Sequence, residues 1–205
     1  MDVTNSELSG ALLAGGLSRR MSGREKAFLD LAGVPLLLRT LAPLHRISAW
    51  SIIANGDAAR FSSFGLKVFS DLRPDFPGPL AGIETALTIA TTPWVLVIPV
   101  DLPFLPEDLV DKLAAAAMDP TQPVTVASRG RLHPTVCLWP RASRPNITAA
   151  LDANRLALGG WFARNPHQVV EFPCREGAPD PFFNINTPDD LLAARRWLEN
   201  GITRS

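Results

Sequence analysis

The sequence has no excess charge of either sign, no long apolar run and almost no cysteine, and each lack removes a class of protein. Lysine and arginine together number 20, as do aspartate and glutamate, so the formal net charge is zero. A general nucleic-acid binder carries a basic excess, and none is expected here. The two cysteines, Cys137 and Cys174, are far apart and lack metal-type spacing. They read as small structural thiols. Three histidines, widely separated, argue against a zinc cluster. No apolar stretch reaches the roughly 18 residues that a membrane span needs. Met1 to Gly10 is polar and acidic rather than basic then apolar, so no signal peptide is expected. The expectation is a soluble, cytoplasmic protein with no membrane or nucleic-acid partner.

What is present is a chain of alternating apolar runs and amphipathic segments. At 205 residues it suits one domain and can bury roughly 70% of its unfolded surface. Apolar runs predict strands over Leu8 to Ala14, Trp50 to Ala54, Leu66 to Phe69 and Pro93 to Val100. The last is the most apolar, which suits a strand covered on both faces. Helical spacing falls over Pro35 to His45, Leu80 to Ala90 and Pro106 to Met118. The alternation predicts an α/β fold with a doubly wound sheet. Beyond it, strands are expected at Pro123 to Ala127, Pro134 to Leu138, Val169 to Phe172 and Phe182 to Ile185. A helix is expected over Ser143 to Ala153. A final helix should start with Thr187 as N-cap and Pro188 in its first turn.

The densest chemistry lies after the first strand, where Gly15-Gly16 is followed by Ser18, Arg19, Arg20, Arg24 and Lys26. Adjacent glycines let a ligand approach the backbone, and N–H groups exposed in such a turn attract anions. Arginine and lysine add the charge that holds phosphates. The spacing matches neither G-x-x-x-x-G-K-[ST] nor G-x-G-x-x-G, and a turn with merely solvated basic residues is the alternative.

In open α/β sheets ligands lie at the carboxyl ends of strands. Asn55, Asp71 and Asp101 fall there with the glycine loop. Asp101 follows the most apolar strand between Pro99 and Pro103. A rigid carboxylate beside a phosphate loop suits Mg²⁺, which takes one or two carboxylates plus phosphate oxygens and water. Asn55 reads either as a turn residue before Gly56 or as a base or ribose contact. Asp71 reads either as a cap or as an acceptor for guanine N–H groups or ribose hydroxyls. Gly78 and Gly82 permit close ligand approach at a helix start, or form a structural corner. His133 reads as part of a surface loop. Asn184 and Asn186 alternate along the expected strand and so share one side.

Several of these strings together resemble a known family. Leu13-Ala14-Gly15-Gly16-x-Ser18-x-Arg20-Met21 with Lys26 downstream, Pro77-Gly78-Pro79-Leu80-Ala81-Gly82, His133-Pro134 and Asn184-x-Asn186-Thr187-Pro188 are similar to the Rossmann-like nucleotidyltransferases, and more narrowly to the molybdenum cofactor guanylyltransferases. That family usually has a second glycine where Ser22 stands and aspartate where Glu25 stands. The resemblance implies a three-layer, mainly parallel sheet with helices on both faces. It implies one domain, with a nucleotide-binding part over about 8–120 and an acceptor-binding part over about 121–199.

The activity implied is Mg²⁺-dependent transfer of GMP from GTP to the phosphate of molybdopterin. Leu13, Ala14, Gly15, Gly16, Lys26, Asn55, Asp71 and Asp101 would bind nucleotide. Arg20, Lys26 and Asp101 would be catalytic, and Asp101 would hold the metal. His133, Asn184 and Asn186 would face the acceptor. A monomer is expected, with transient contacts to cofactor-biosynthesis proteins or apo-molybdoenzymes. A cytidylyltransferase for the same cofactor, a sugar-phosphate nucleotidyltransferase and a non-catalytic GTP-binding delivery module share parts of the pattern.

Overall fold

A computed structural model describes residues 3–14, 25–73 and 78–201. Its strands are β1 (Leu8–Leu13), β2 (Asp30–Leu31), β3 (Val34–Pro35), β4 (Trp50–Ile53), β5 (Lys67–Phe69), β6 (Trp94–Pro99), β7 (Val124–Ser128), β8 (Arg131–Pro140) and β9 (Gln168–Phe172). Its helices are α1 (Leu36–Leu41), α2 (Pro79–Ile89), α3 (Leu109–Ala116), α4 (Arg144–Asp152), α5 (Leu158–Phe162) and α6 (Pro188–Glu199). Short 3₁₀ turns cover Lys26–Phe28 and Ala58–Phe64. Among the described residues, no helix is long and apolar enough to cross a membrane.

Seven strands form one sheet in the order β5-β4-β1-β6-β8-β7-β9, while β2 and β3 make a separate hairpin. Only β8 among the seven runs against its neighbours. The other six therefore deliver their carboxyl ends to one edge, and β8 begins there. The alternation of side chains along β6 explains why helices cover both faces. Leu96 and Ile98 pack into one core with Leu37 of α1 and Leu109 and Leu113 of α3. Val95 and Val97 pack into another with Ile83 and Leu87 of α2, Ile147 of α4 and Trp161 of α5. All four β6 residues are buried. Each contributes on the order of 1.5–3 kcal/mol of burial, so β6 is the rigid spine of the three-layer fold.

Three expectations need correction. The segment Phe182 to Ile185 is not a strand; its backbone is tied to the β6 exit instead, with Ile185 N–H donating to the Asp101 carbonyl at 3.0 Å. His133 is not in a surface loop but inside β8, which is longer than its apolar run because Arg131 and Leu132 pair with Ser128 and Ala127. The helix expected from Pro106 starts only at Leu109. Cys137 is buried and Cys174 half-buried, and both are free thiols; burial pushes the Cys137 thiol well up.

Candidate active site

Asp101 leaves the end of β6 and is itself only 6% exposed. Both of its carboxylate oxygens are engaged. Asn184 Nδ2 donates to Oδ1 at 3.0 Å, and Lys26 Nζ donates to Oδ2 at 2.6 Å. The same ammonium donates to Asn186 Oδ1 at 2.5 Å. A half-buried ion pair is favourable only when further hydrogen bonds satisfy its remaining atoms, and the two asparagine amides do this.

The asparagines converge because of the residue between them. Ile185 is fully buried beside Leu29, Leu31, Leu36, Phe104 and Ala194. That anchor fixes the loop, and its neighbours are left to meet Asp101 and Lys26. The first turn of α6 fixes the other end. Asp190 accepts from the backbone N–H groups of Asn186 and Thr187, while Thr187 Oγ1 caps Asp190 N–H. This is the reciprocal capping box expected of a Ser/Thr N-cap.

A second carboxylate stands at the ends of β4 and β5. Asn55 Nδ2 donates to Asp71 Oδ2 at 2.8 Å, and the Asp71 N–H donates to Asn55 Oδ1 at 3.0 Å. Asn55 thus spends its amide on orienting Asp71. Burial raises the Asp71 carboxyl above its usual range, partly offset by the Asn55 hydrogen bond. Asp71 Oδ1 is buried and has no partner among the described residues, an arrangement that costs stability unless something donates to it. Gly82 of α2 lies against this group. A Cβ there would come within 2.7 Å of Leu13 Cδ2 and 3.6 Å of Asp71 Oδ1. Gly82 therefore lets α2 pack onto the end of β1 beside the carboxylate.

The Asp71 loop is held from behind by a network the sequence reading missed. Arg73 makes a bidentate pair with Glu84 at 2.7 and 2.8 Å and reaches Asp152 at 2.6 Å. Thr148 donates to Glu84 at 2.7 Å, and Arg73 foremost holds the Glu84 carboxyl below its ordinary value. No local motif betrays this set, because its members come from three separate elements.

On the far side of β6, His133 Nε2 lies 2.7 Å from Ser128 Oγ, which donates to Asp180 Oδ1 and Oδ2 at 2.9 and 2.8 Å. A hydroxyl has one proton. With that proton on the Asp180 carboxylate, Nε2–H must be the donor to Ser128. The neutral ring then presents Nδ1 as an acceptor. Burial lowers the His133 pKa, with Asp180 opposing, which favours this neutral form. Phe182 packs on the imidazole with centroids 4.9 Å apart. Asp180 was missed, although it sits between Pro179 and Pro181, much as Asp101 sits near two prolines.

The structure thus brings together Lys26, Asp101, Asn184 and Asn186. It pairs Asn55 with Asp71 and groups His133 with Ser128 and Asp180. Among the described residues, these two latter groups share no hydrogen-bond partner with the Lys26 cluster. Leu13 and Ala14 close β1 beside them: Ala14 N–H donates to Ile53 and Leu13 accepts from Val100. Gly15, Gly16 and Arg20, and also Ser22 and Pro77, lie outside the described residues. No three His, Cys, Asp or Glu side chains among the described residues converge as a protein-only metal cage. The hard oxygens of Asp101 and Asn186, already gathered around a cation, instead suit a divalent ion that takes its other ligands from phosphate and water.

The model of the MobA-like NTP transferase domain matches residues 10–169 of the chain. A molybdenum cofactor guanylyltransferase of Mesorhizobium japonicum is 45% identical over 202 residues, covering 95% of this chain and 97% of that protein. Another of the same name, from Rhodobacter capsulatus, is 44% identical over 199 residues, covering 93% and 96%. The crystal structure of molybdopterin-guanine dinucleotide biosynthesis protein A from Archaeoglobus fulgidus superposes with a TM-score of 0.73 at 24% identity, covering 94% of this chain and 99% of that one. At that identity the superposition speaks for the Rossmann-like fold.

Proposed function

The chain belongs to the MobA-like NTP transferase domain family, and on that footing we propose that it is a molybdenum cofactor guanylyltransferase, transferring GMP from GTP to the terminal phosphate of molybdopterin. The observation that carries this reading is the cluster of Lys26, Asp101, Asn184 and Asn186 at the exit of β6. It unites residues 160 positions apart and sits between the Asp71 and His133 groups. About 8–120 would serve as the nucleotide side and about 121–199 as the acceptor side of one domain.

An oxygen of the acceptor phosphate attacks the α-phosphorus of GTP. The bond from that phosphorus to the β-phosphate bridging oxygen breaks, and pyrophosphate leaves. A phosphate monoester is already nucleophilic, so the protein's task is alignment and charge compensation. Lys26 offsets negative charge on the phosphates, together with Arg20 and the Gly15-Gly16 backbone. Asn184 and Asn186 hold Asp101 and Lys26 in place and line the acceptor's approach. Asp71, oriented by Asn55, accepts from N–H groups of the base through its unpartnered oxygen. His133 accepts at Nδ1 from a donor on the acceptor. Mg²⁺, held by Asp101 with Asn186 near, would supply Lewis-acid polarisation of the phosphate oxygens. The setting is cytoplasmic, the protein a monomer, and its contacts with apo-molybdoenzymes or other cofactor-biosynthesis proteins transient.

The test is incubation with molybdopterin and either GTP or CTP, with and without Mg²⁺, measuring pyrophosphate. Release with GTP and Mg²⁺, and little with CTP, is expected. Preference for CTP would make the protein a cytidylyltransferase. GTP binding without release would leave a delivery module.

A further inference from the structure

The ion pair of Glu25 with Arg60 points to a coupling device. Glu25 Oε1 pairs with Arg60 at 2.8 Å. The same guanidinium nitrogen donates to the Asn55 carbonyl at 2.6 Å, and Asn55 in turn holds Asp71. Glu25 directly precedes Lys26, the ligand of Asp101. Polar contacts therefore run from Glu25 through Arg60 and Asn55 to the Asp71 carboxylate, and the backbone joins Glu25 to Lys26.

Local structure is shaped around this arginine. Gly56 has φ +89°, and a Cβ there would meet Arg60 NH1 at 2.9 Å. Glycine thus both permits the backbone turn and clears the arginine's path. Beneath the ion pair, Phe28 packs on Phe61 and Phe64 with centroids 5.3 and 5.2 Å apart. Arg60 also lies 4.9 Å over the Phe61 ring. The 3₁₀ turn carrying Lys26 is thereby clamped onto the turn carrying Arg60, by aromatic packing below and charge above. An aspartate at position 25 would fall short of the guanidinium by roughly 1.5 Å, one carbon–carbon bond.

We infer that Arg60 and Glu25 are positioning residues that lock the placement of Lys26 to that of Asn55–Asp71, so that the two ends of the nucleotide site move as one body. This rests on the proposed GTP-dependent transfer. It deepens that reading by giving a role to two residues that touch neither reacting phosphate.

The test compares Arg60→Ala, Arg60→Lys, Glu25→Gln, Glu25→Asp and the double variant Glu25→Gln/Arg60→Ala in the pyrophosphate assay, varying GTP, with Tm measured for each. Arg60→Ala and Glu25→Gln should each lose about 10-fold in kcat/KM for GTP, with KM rising and kcat falling together, the signature of disturbed ground-state and transition-state contacts at once. Arg60→Lys and Glu25→Asp should fall between these and wild type. The double variant should be no worse than the poorer single one, because coupled residues are non-additive. An unchanged KM for GTP in folded Glu25→Gln and Arg60→Ala overturns the coupling, as do losses that multiply in the double variant. A wild-type protein that releases no pyrophosphate from GTP fails the parent reading instead.

Discussion

The two sides of β6 hold their carboxylates by different chemistry. On the side proposed for the nucleotide, Asp101 faces an ammonium and an amide, and Asp71 faces an amide with one oxygen unpartnered among the described residues. On the side proposed for the acceptor, Asp180 accepts from the Ser128 hydroxyl and the Phe182 N–H, and the group it supports is an imidazole against a phenyl ring. The first arrangement keeps mobile positive charge next to fixed negative charge, ready to be redistributed when a polyanion arrives. The second keeps formal charge behind an uncharged reader. A triphosphate needs the former; a heterocycle with few charges needs the latter, because its discrimination comes from hydrogen bonds that a wrong partner leaves unmade.

That contrast can be broken most sharply at Asp101. Replacement by alanine should abolish GMP transfer, while Lys26→Ala should lower kcat by about 10²-fold or more through lost stabilisation of developing charge. Pyrophosphate release by either variant at the wild-type rate would remove it from the machinery. Next comes Asp71→Asn, which keeps the shape but replaces an acceptor with a donor on one arm. KM for GTP should rise about 10-fold with little change in kcat, the mark of uniform binding lost. A fall in kcat alone would place Asp71 near the reacting phosphate rather than the base.

The smallest effect is expected at His133. Its folded pKa is lowered from 6.5 by burial, so the unfolded chain takes up a proton before the folded one does. Stability is therefore complete above about pH 6.5 and declines as pH falls from there toward the folded value. His133→Gln should flatten that decline in Tm by about 2 °C or less, a small shift because solvent screens this half-buried ring. The same variant should raise KM for the acceptor and leave KM for GTP unchanged. A change in KM for GTP would erase the division between the two sides.

Much of the fold could be read from the chain because its signals are local. The β6 run is apolar at every position from Trp94 to Ile98, and only a strand covered twice buries such a run. The position of Asp101 just past the strand was equally readable, since the apolar run breaks at Pro99. Thr187-Pro188 marked the start of α6 correctly because capping acts over three or four residues. The Asn184-Ile185-Asn186 reading assigned the segment to the wrong element. It took period-two alternation for a strand, whereas the segment is an irregular loop pinned by Ile185 and by the Asp101 carbonyl.

The sequence by itself determined the alternating α/β plan, the strand whose end carries Asp101, and the residue types a phosphate site requires. Only the tertiary structure decided which of those residues meet. It spent the Asn55 amide on Asp71, hung Lys26 between Asp101 and Asn186, and recruited Arg60, Arg73, Ser128 and Asp180 as supports. The reason is physical. Apolar periodicity and caps are set by near neighbours along the chain. A hydrogen bond such as Lys26 to Asn186 exists only once the sheet and its helices have packed.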